Sequence, residues 1–446
     1  MLYSILFNAP YPVSTMAVMQ VAQLGLQVLQ QQPAQLVPKQ FPPAYYDEHG
    51  RLALKNLTIQ ELEEWCVSIG EQPKRAMQLW RWMYYDSNWI RSLDDAPAGV
   101  TNGFSAAFRE TVEDIATIDG GLDLVSLRKA SDGTTKMVFR LKHGPGAGGQ
   151  VETVLIPIVR EQGQKPRITL CVSSQFCYTG RMGLRGNLTA AQIVEQVVAA
   201  RRLLFEEDMA HGVARHITPI TNIVFMGMGE PLHNMDAVVP SINILTHPLG
   251  LHLSNYKISV STVGLVDEMR RFAQLSRAEL AVSLHATTDE VRDWIVPVNR
   301  KYGLQALVRC MEELFPRDKS APGHGRHVLI EYTMLRGVND SEEDARRLLQ
   351  LTRNIWCKIN LIVFNPHEGT QFQPSTPEQI QAFRSILIQG GHVATVRDSR
   401  GDDQMAACGQ LGNPGVVPAA GRAPPLPPIL APPERLRPAL AGSGTA

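Results

Sequence analysis

The sequence predicts an α/β protein: an open, partial (βα) barrel of the (βα)6 type, carried behind a small helical accessory domain and a β extension. Three observations predict it. After Arg167, short apolar, β-branched runs alternate with runs of helical periodicity, the pattern of parallel strands joined by helical crossovers. Six or seven such units are present, fewer than the eight of a closed barrel. Polar residues recur at the ends of successive candidate strands, where such folds place their chemistry.

The chain has 446 residues, 44% hydrophobic and 19% charged, enough for one large core and a smaller domain. Lys+Arg and Asp+Glu both number 43, so any nucleic-acid footprint must be a local patch and not a global charge excess. The six cysteines are unevenly spaced and read as reduced thiols. Among them Cys66, Cys310 and Cys357 read as small buried hydrophobes. No apolar run approaches the length of a membrane span.

Residues 1–50 contain one Lys (Lys39), no Arg and no acid before Asp47. They are expected to be a disordered leader or a transit peptide. The compartment is cytoplasmic on the first reading and plastid or organelle stroma on the second. Residues 51–118 are expected to form the helical accessory domain. Thr58 and Glu61 have capping-box spacing, and apolar residues at helical spacing follow at 75–85 and 104–115. Residues 119–160 form the β extension, with strands at 135–141 and 152–159 around a Gly-rich turn. The core spans 161–412. Its strands are predicted at 168–172, 222–226, 257–263, 279–285, 327–334, 358–364 and 392–397, as continuous apolar runs. Its helices are predicted at 190–206, 237–246, 266–274, 304–315, 341–353 and 377–389. Residues 413–446 are rich in Pro and Ala and read as a disordered tail.

The stretch around which the chain is organised is RITLCVSSQFCYTGRMGLRGNL, Arg167 to Leu188. It contains Cys171 and Cys177. FMGMGEPL follows a strand and contains Gly229 and Glu230. KISVSTVG, LAVSLHA and NLIVFNP place Ser261, Ser283-Leu284-His285 and Asn365 at three strand ends. VETVLIP begins a strand with Glu152, and RGDDQMAACGQL carries Cys408 near the end. Read singly, each has an ordinary explanation: Gly-x-Gly-x-Pro is a tight turn, a lone His a core residue, a Glu at a strand start a solvated end.

Together and in this order, over roughly Leu57 to Leu411, these segments resemble the RlmN family of radical S-adenosylmethionine (SAM) enzymes. That family methylates C2 of adenine in large-subunit ribosomal RNA and in tRNA. The resemblance implies SAM and a [4Fe–4S] cluster as cofactors, an electron donor such as a flavodoxin or ferredoxin, rRNA or tRNA as partner, no membrane, and a monomer. It implies that Gly229 and Glu230 receive the SAM ammonium group. Ser261, Ser283, Leu284, His285 and Asn365 then contact its carboxylate, ribose and adenine. Cys408 takes a methyl group from SAM, the methyl carbon is activated by a radical from a second SAM, and Cys171 releases the methylated base by forming a disulfide with Cys408. Glu152 is implied as the acid/base that manages the C2 proton.

One departure matters. The family's cluster ligands form a C-x-x-x-C-x-x-C triplet, but here Gln175 runs directly into Phe176 and Cys177. Only Cys177 matches a ligand; about eight residues with two cluster cysteines are absent relative to the family pattern. Two readings stay open: an RNA adenine-C2 methyltransferase whose given sequence lacks part of its cluster loop, or a catalytically inactive RNA- and SAM-binding paralogue or splice form. A relative methylating C8 of adenine is a third. Candidate RNA contacts are Arg181, Arg185, Arg201 and Arg202, with Trp80, Trp82, Tyr84 and Tyr85 of the accessory domain. For each of these, a core or solvated-face role is the ordinary one.

Overall fold

The structure is a computed structural model and describes residues 38–85, 89–95, 104–144, 146–158, 167–176, 186–212, 219–321, 325–366, 370 and 372–397. Cys177, Arg181, Arg185, Cys408 and the Pro/Ala-rich stretch lie outside the described residues, as do residues 1–37 of the expected leader. Residues 38–50, expected as part of that leader, are held in place. Lys39 pairs with Glu64, Asp47 with Arg51 at 2.9 Å, and Tyr46 bridges to Leu52.

Helix α1, Ile59–Ser68, starts with the anticipated reciprocal cap between Thr58 and Glu61 and buries Leu62 and Trp65. Helix α2, Lys74–Tyr84, turns Leu79, Trp80 and Met83 into the same core. Ser105 caps α3, Ala106–Ile115, through the Phe108 amide. Strands β1 (Leu122–Lys129), β2 (Thr135–Leu141) and β3 (Gln150–Ile158) follow as an antiparallel set. β1 was not anticipated: it lies at the edge of the sheet and leaves Leu124, Val125 and Leu127 exposed, so it lacks the in–out alternation that marks a half-buried strand.

The remaining elements alternate: β4 (Arg167–Cys171), α4 (Ala190–Ala210), β5 (Ile220–Phe225), α5 (Met235–Thr246), β6 (Ile258–Thr262), α6 (Val266–Leu275), β7 (Glu279–Ser283), α7 (Asp289–Ile295), α8 (Leu304–Leu314), β8 (Val328–Met334), α9 (Glu342–Thr352), β9 (Cys357–Val363), α10 (Pro377–Gln389) and β10 (Val393–Arg397). One ten-stranded sheet runs from β10 to β1 in chain order. β4 to β10 pair in parallel, and β3 joins β4 antiparallel through Val154 opposite Cys171. The β extension therefore continues the core sheet. β1 and β10 do not pair with each other, so the barrel is open, as expected.

The expected core strands are present, but the expectation of continuously apolar runs needs correction. Their side chains alternate. Val260, Leu280, Val282, Ile330, Ile359 and Leu361 are buried against the helices. The opposite, lumen-facing set is largely polar. In one register row, Ser283 stands opposite Glu331, Glu331 opposite Asn360, and Asn360 opposite Thr395. A sheet apolar on one face and polar on the other has a lumen fit for a polar ligand.

Candidate functional site

A cavity of about 330 Å³ opens at the C-terminal ends of β5 to β9, and Gly229, Glu230, Ser261, Ser283, His285 and Asn365 all line it. Its volume is at the lower end of small-molecule sites. The exception among the strand-end candidates is Leu284, whose side chain is buried in the core while its amide donates to the Glu331 carbonyl at 3.0 Å.

The loop after β5 is built by close approach. A Cβ on Gly227 would lie 2.5 Å from Ser173 Oγ, and one on Gly229, whose φ is +101°, 2.6 Å from Gln175 Cβ. Only glycine meets both demands. Ser173 Oγ accepts from the Met228 amide at 2.9 Å and donates to the Glu152 carbonyl at 2.7 Å. Gln175 Oε1 accepts from the Glu230 amide at 3.3 Å. Thus the segment after β4 is laced to the Gly–Glu turn. Both Glu230 oxygens are used: Oε1 accepts from the Leu232 amide at 3.1 Å and Oε2 from the Val263 amide at 2.8 Å. Burial raises its pKa, and these donors pull it back only in part.

His285 sits just past β7 in the left-handed region, φ +58°. Its Nδ1 accepts from the Thr333 amide at 3.1 Å, which puts the ring proton on Nε2. Its carbonyl accepts from Asn339 Nδ2 at 2.7 Å. Burial, helped by the charge of Arg292, lowers its pKa to about 4, so the ring is neutral at physiological pH. Arg292 of α7 is fully buried. It donates to the carbonyls of Val263 (2.6 Å), Leu284 (3.0 Å) and Ser283 (3.3 Å), and to Asn299 Oδ1 at 2.9 Å. It fastens the ends of β6 and β7 together.

Sequence reasoning missed Arg292, Asn339 and Glu331. Glu331 lines the cavity from β8; the signal available was one acid in the apolar run HVLIEYTM. Arg292 sits in DEVRDWI, which reads as an ordinary solvated helix face.

Cys171 lies at the end of β4, paired with Val154 and Val224 and packed against Met226, a cavity-lining residue. Glu152 is two residues before Val154 and so shares its sheet face; it pairs with Lys136 at 3.1 Å. Neither Cys171 nor Glu152 lines the cavity itself; Cys171 reaches its edge only through the packed patch that includes Met226. Most of the described RNA candidates are committed inside the protein. Trp80, Trp82 and Tyr84 are buried, Arg201 donates to the Leu251 carbonyl, and Arg202 is bound to Glu195 and the Trp89 carbonyl. Tyr85 stacks under Arg81.

Residues 174–349 match the Radical SAM superfamily, and residues 52–94 match the ribosomal RNA large subunit methyltransferase N-terminal domain. The fold superposes on the crystal structure of a radical SAM methyltransferase from Sphaerobacter thermophilus with a TM-score of 0.67 and 36% identity, covering 80% of this chain and 98% of that one. Fold and site define a radical SAM protein. The chain is 42% identical over 369 residues to the dual-specificity RNA methyltransferase RlmN of Geotalea uraniireducens, covering 81% of this chain and 96% of that protein. It is 44% identical over 367 residues to that of Pelobacter propionicus, covering 80% and 95%. It belongs to the RlmN family.

Radical SAM proteins work with SAM and a [4Fe–4S] cluster. The cavity suits SAM: a carboxylate, serine hydroxyls, a neutral imidazole and an amide face one polar space. The cysteines do not fit a cluster held by three thiolates. Between Cys171 and Cys310 the sequence holds Cys177 alone. Cys310 is buried on α8 and Cys357 starts β9 at the end away from the cavity.

Proposed function

We propose that this chain is an RNA methyltransferase of the RlmN type, methylating C2 of adenine in large-subunit rRNA and in tRNA. What carries the reading is the convergence of Gly229, Glu230, Ser261, Ser283, His285 and Asn365, drawn from four separate strand ends, on one cavity. SAM held there supplies the methyl group. Glu230 and the backbone around it would hold the amino-acid end, and Ser283, His285 and Asn365 the nucleoside end, with His285 offering an Nε2–H donor. Cys408 is the proposed methyl acceptor and Cys171 the thiol that resolves it. Glu152, held by Lys136, is the proposed proton-handling acid. A one-electron donor such as a flavodoxin or ferredoxin, and a monomeric state, belong to the same proposal. Among the described residues no helix is long and apolar enough to cross a membrane.

The cysteine count favours a second reading: this form binds SAM and RNA without methylating. One experiment separates the two. The full chain is reconstituted with iron and sulfide under anoxia. Metal per chain, SAM binding, and methyl transfer to a large-subunit rRNA fragment and to tRNA are then measured. About four irons per chain with methylated adenine supports the enzyme. SAM binding with neither iron nor product supports the binding form. Absence of SAM binding defeats both.

A further inference from the structure

Glu331 is the acid of the cavity that the protein leaves short of partners. β8 places it in the lumen between Ser283 of β7 and Asn360 of β9. It is only 5% exposed. Its Oε1 lies 3.5 Å from Asn360 Nδ2 and 3.9 Å from Arg397 Nη1. Its Oε2 meets no donor among the described residues. An ionised carboxylate offers about four acceptor sites, and the two long contacts at Oε1 leave most of them open. Glu230, across the same cavity, has both oxygens on backbone amides. A buried acid with acceptor capacity aimed at a cavity calls for donors from the occupant.

We infer that Glu331 contacts the ligand and accepts hydrogen bonds from the ribose hydroxyls of the bound nucleoside, making the site selective for a ribonucleoside. The inference rests on the reading that SAM occupies the cavity. Two observations favour the diol over the ammonium group. Glu331 is three strands from the β5 loop that carries Glu230, roughly 14 Å along the curved sheet at the usual strand spacing, which places it at the other end of a ligand anchored there. Arg397 already sets a positive charge 3.9 Å away, so an ammonium group at Glu331 would meet a like charge too, while a neutral O–H meets only free lone pairs. The neighbours Ser283 and Thr333 are also neutral, as suits a sugar.

Calorimetric titration of the full-length chain tests this with three probes: SAM, 5′-methylthioadenosine (ribose and adenine without the amino acid) and its 2′,3′-dideoxy counterpart. Wild type should prefer the ribose form over the dideoxy form by about tenfold, the worth of one charge-assisted hydrogen bond. Glu331→Gln and Glu331→Leu should weaken SAM and 5′-methylthioadenosine by the same factor and erase the preference. Weakened SAM with unchanged 5′-methylthioadenosine would assign the contact to the ammonium group and overturn the inference. Unchanged affinities for both would overturn it too, as would a wild type indifferent to the hydroxyls, a result that needs no variant to fold. If wild type binds none of the probes, the SAM reading itself fails and takes this inference with it.

Discussion

Glu195 and Glu331 are buried to nearly the same degree, 6% and 5% exposed, yet the protein treats them in opposite ways. Glu195 of α4 receives Lys55 Nζ at 2.5 Å and Arg202 Nη1 at 2.7 Å. Arg202 also donates to the Trp89 carbonyl at 2.8 Å. Lys55 immediately precedes the N-terminal helices, so this ion triad fastens them to the barrel. Burial pushes the Glu195 pKa up, but the two cations outweigh it and hold the carboxyl below its usual range. Glu331 has one long hydrogen bond and one distant guanidinium, so burial wins and its pKa is raised. Desolvation is common to both; the number of committed donors separates a brace from a binding wall.

The largest expected effect tests the brace. Glu195→Ala strands Lys55 and Arg202 without a counter-charge. Removing one partner of a buried ion pair costs about 3–5 kcal/mol, which should appear as a lower denaturant midpoint in urea unfolding. Affinity for SAM in the folded fraction should stay within about twofold, because the triad lies outside the cavity lining. Glu331→Gln should do the reverse, leaving stability within about 1 kcal/mol of wild type and lowering affinity. Equal losses of stability in both variants would end the contrast.

Much of the barrel was legible in the sequence because it rests on local signals. Runs such as KISVS and NLIVF read as strands from their β-branched and apolar content, and the glycines of FMGMGEP read as a tight turn; that the turn also packs closely on Ser173 and Gln175 is visible only in the structure. Less was legible where the cause is distant. Of the carbonyls that bind Arg292, those of Ser283 and Leu284 lie just upstream, but that of Val263 lies at the end of another strand, 29 residues earlier, and nothing local to DEVRDWI announces it. Asn339 likewise acts on His285, 54 residues earlier. For the aromatic cluster Trp80, Trp82 and Tyr84 composition left base stacking open beside the more ordinary core role, and the core role is the one it has; burial, not residue type, decides between them. The polar lumen was missed because Ser and Thr are compatible with strand propensity and their alternation is masked by apolar neighbours.

A middle-sized effect is expected at Arg292, which shares features with both acids: it is buried like Glu195 but acts on the cavity wall. Arg292→Lys keeps the charge and loses the planar fork that reaches three carbonyls at once. Affinity for SAM should fall by about tenfold, with stability down by about 1–3 kcal/mol. A structural role alone would leave His285 untouched, so the discriminating measurement is its imidazole titration by NMR in Arg292→Met. Loss of the nearby cation should raise the His285 pKa above about 4. A titration that does not move, with affinity preserved, would remove Arg292 from the account of the site.

The smallest and sharpest effect is the pH dependence of stability, where the two acids should slope in opposite directions. For Glu331 the folded pKa lies above the ordinary glutamate value of 4.5. From pH 4.5 up to that raised value the folded state binds more protons than the unfolded one, so wild type loses stability relative to Glu331→Gln as pH rises, then levels off. For Glu195 the folded pKa lies below 4.5. Its contribution is fully present above that pH and is lost as pH falls through the folded value, so the deficit of Glu195→Gln should shrink in acid. Each slope is bounded by about 1.4 kcal/mol per pH unit, the limit for one proton. Paired urea titrations of wild type and the two glutamine variants across this range measure both. Parallel slopes would mean that Glu331 is as well partnered as Glu195, which would leave the lumen without the unmet acceptor that a ribose would satisfy.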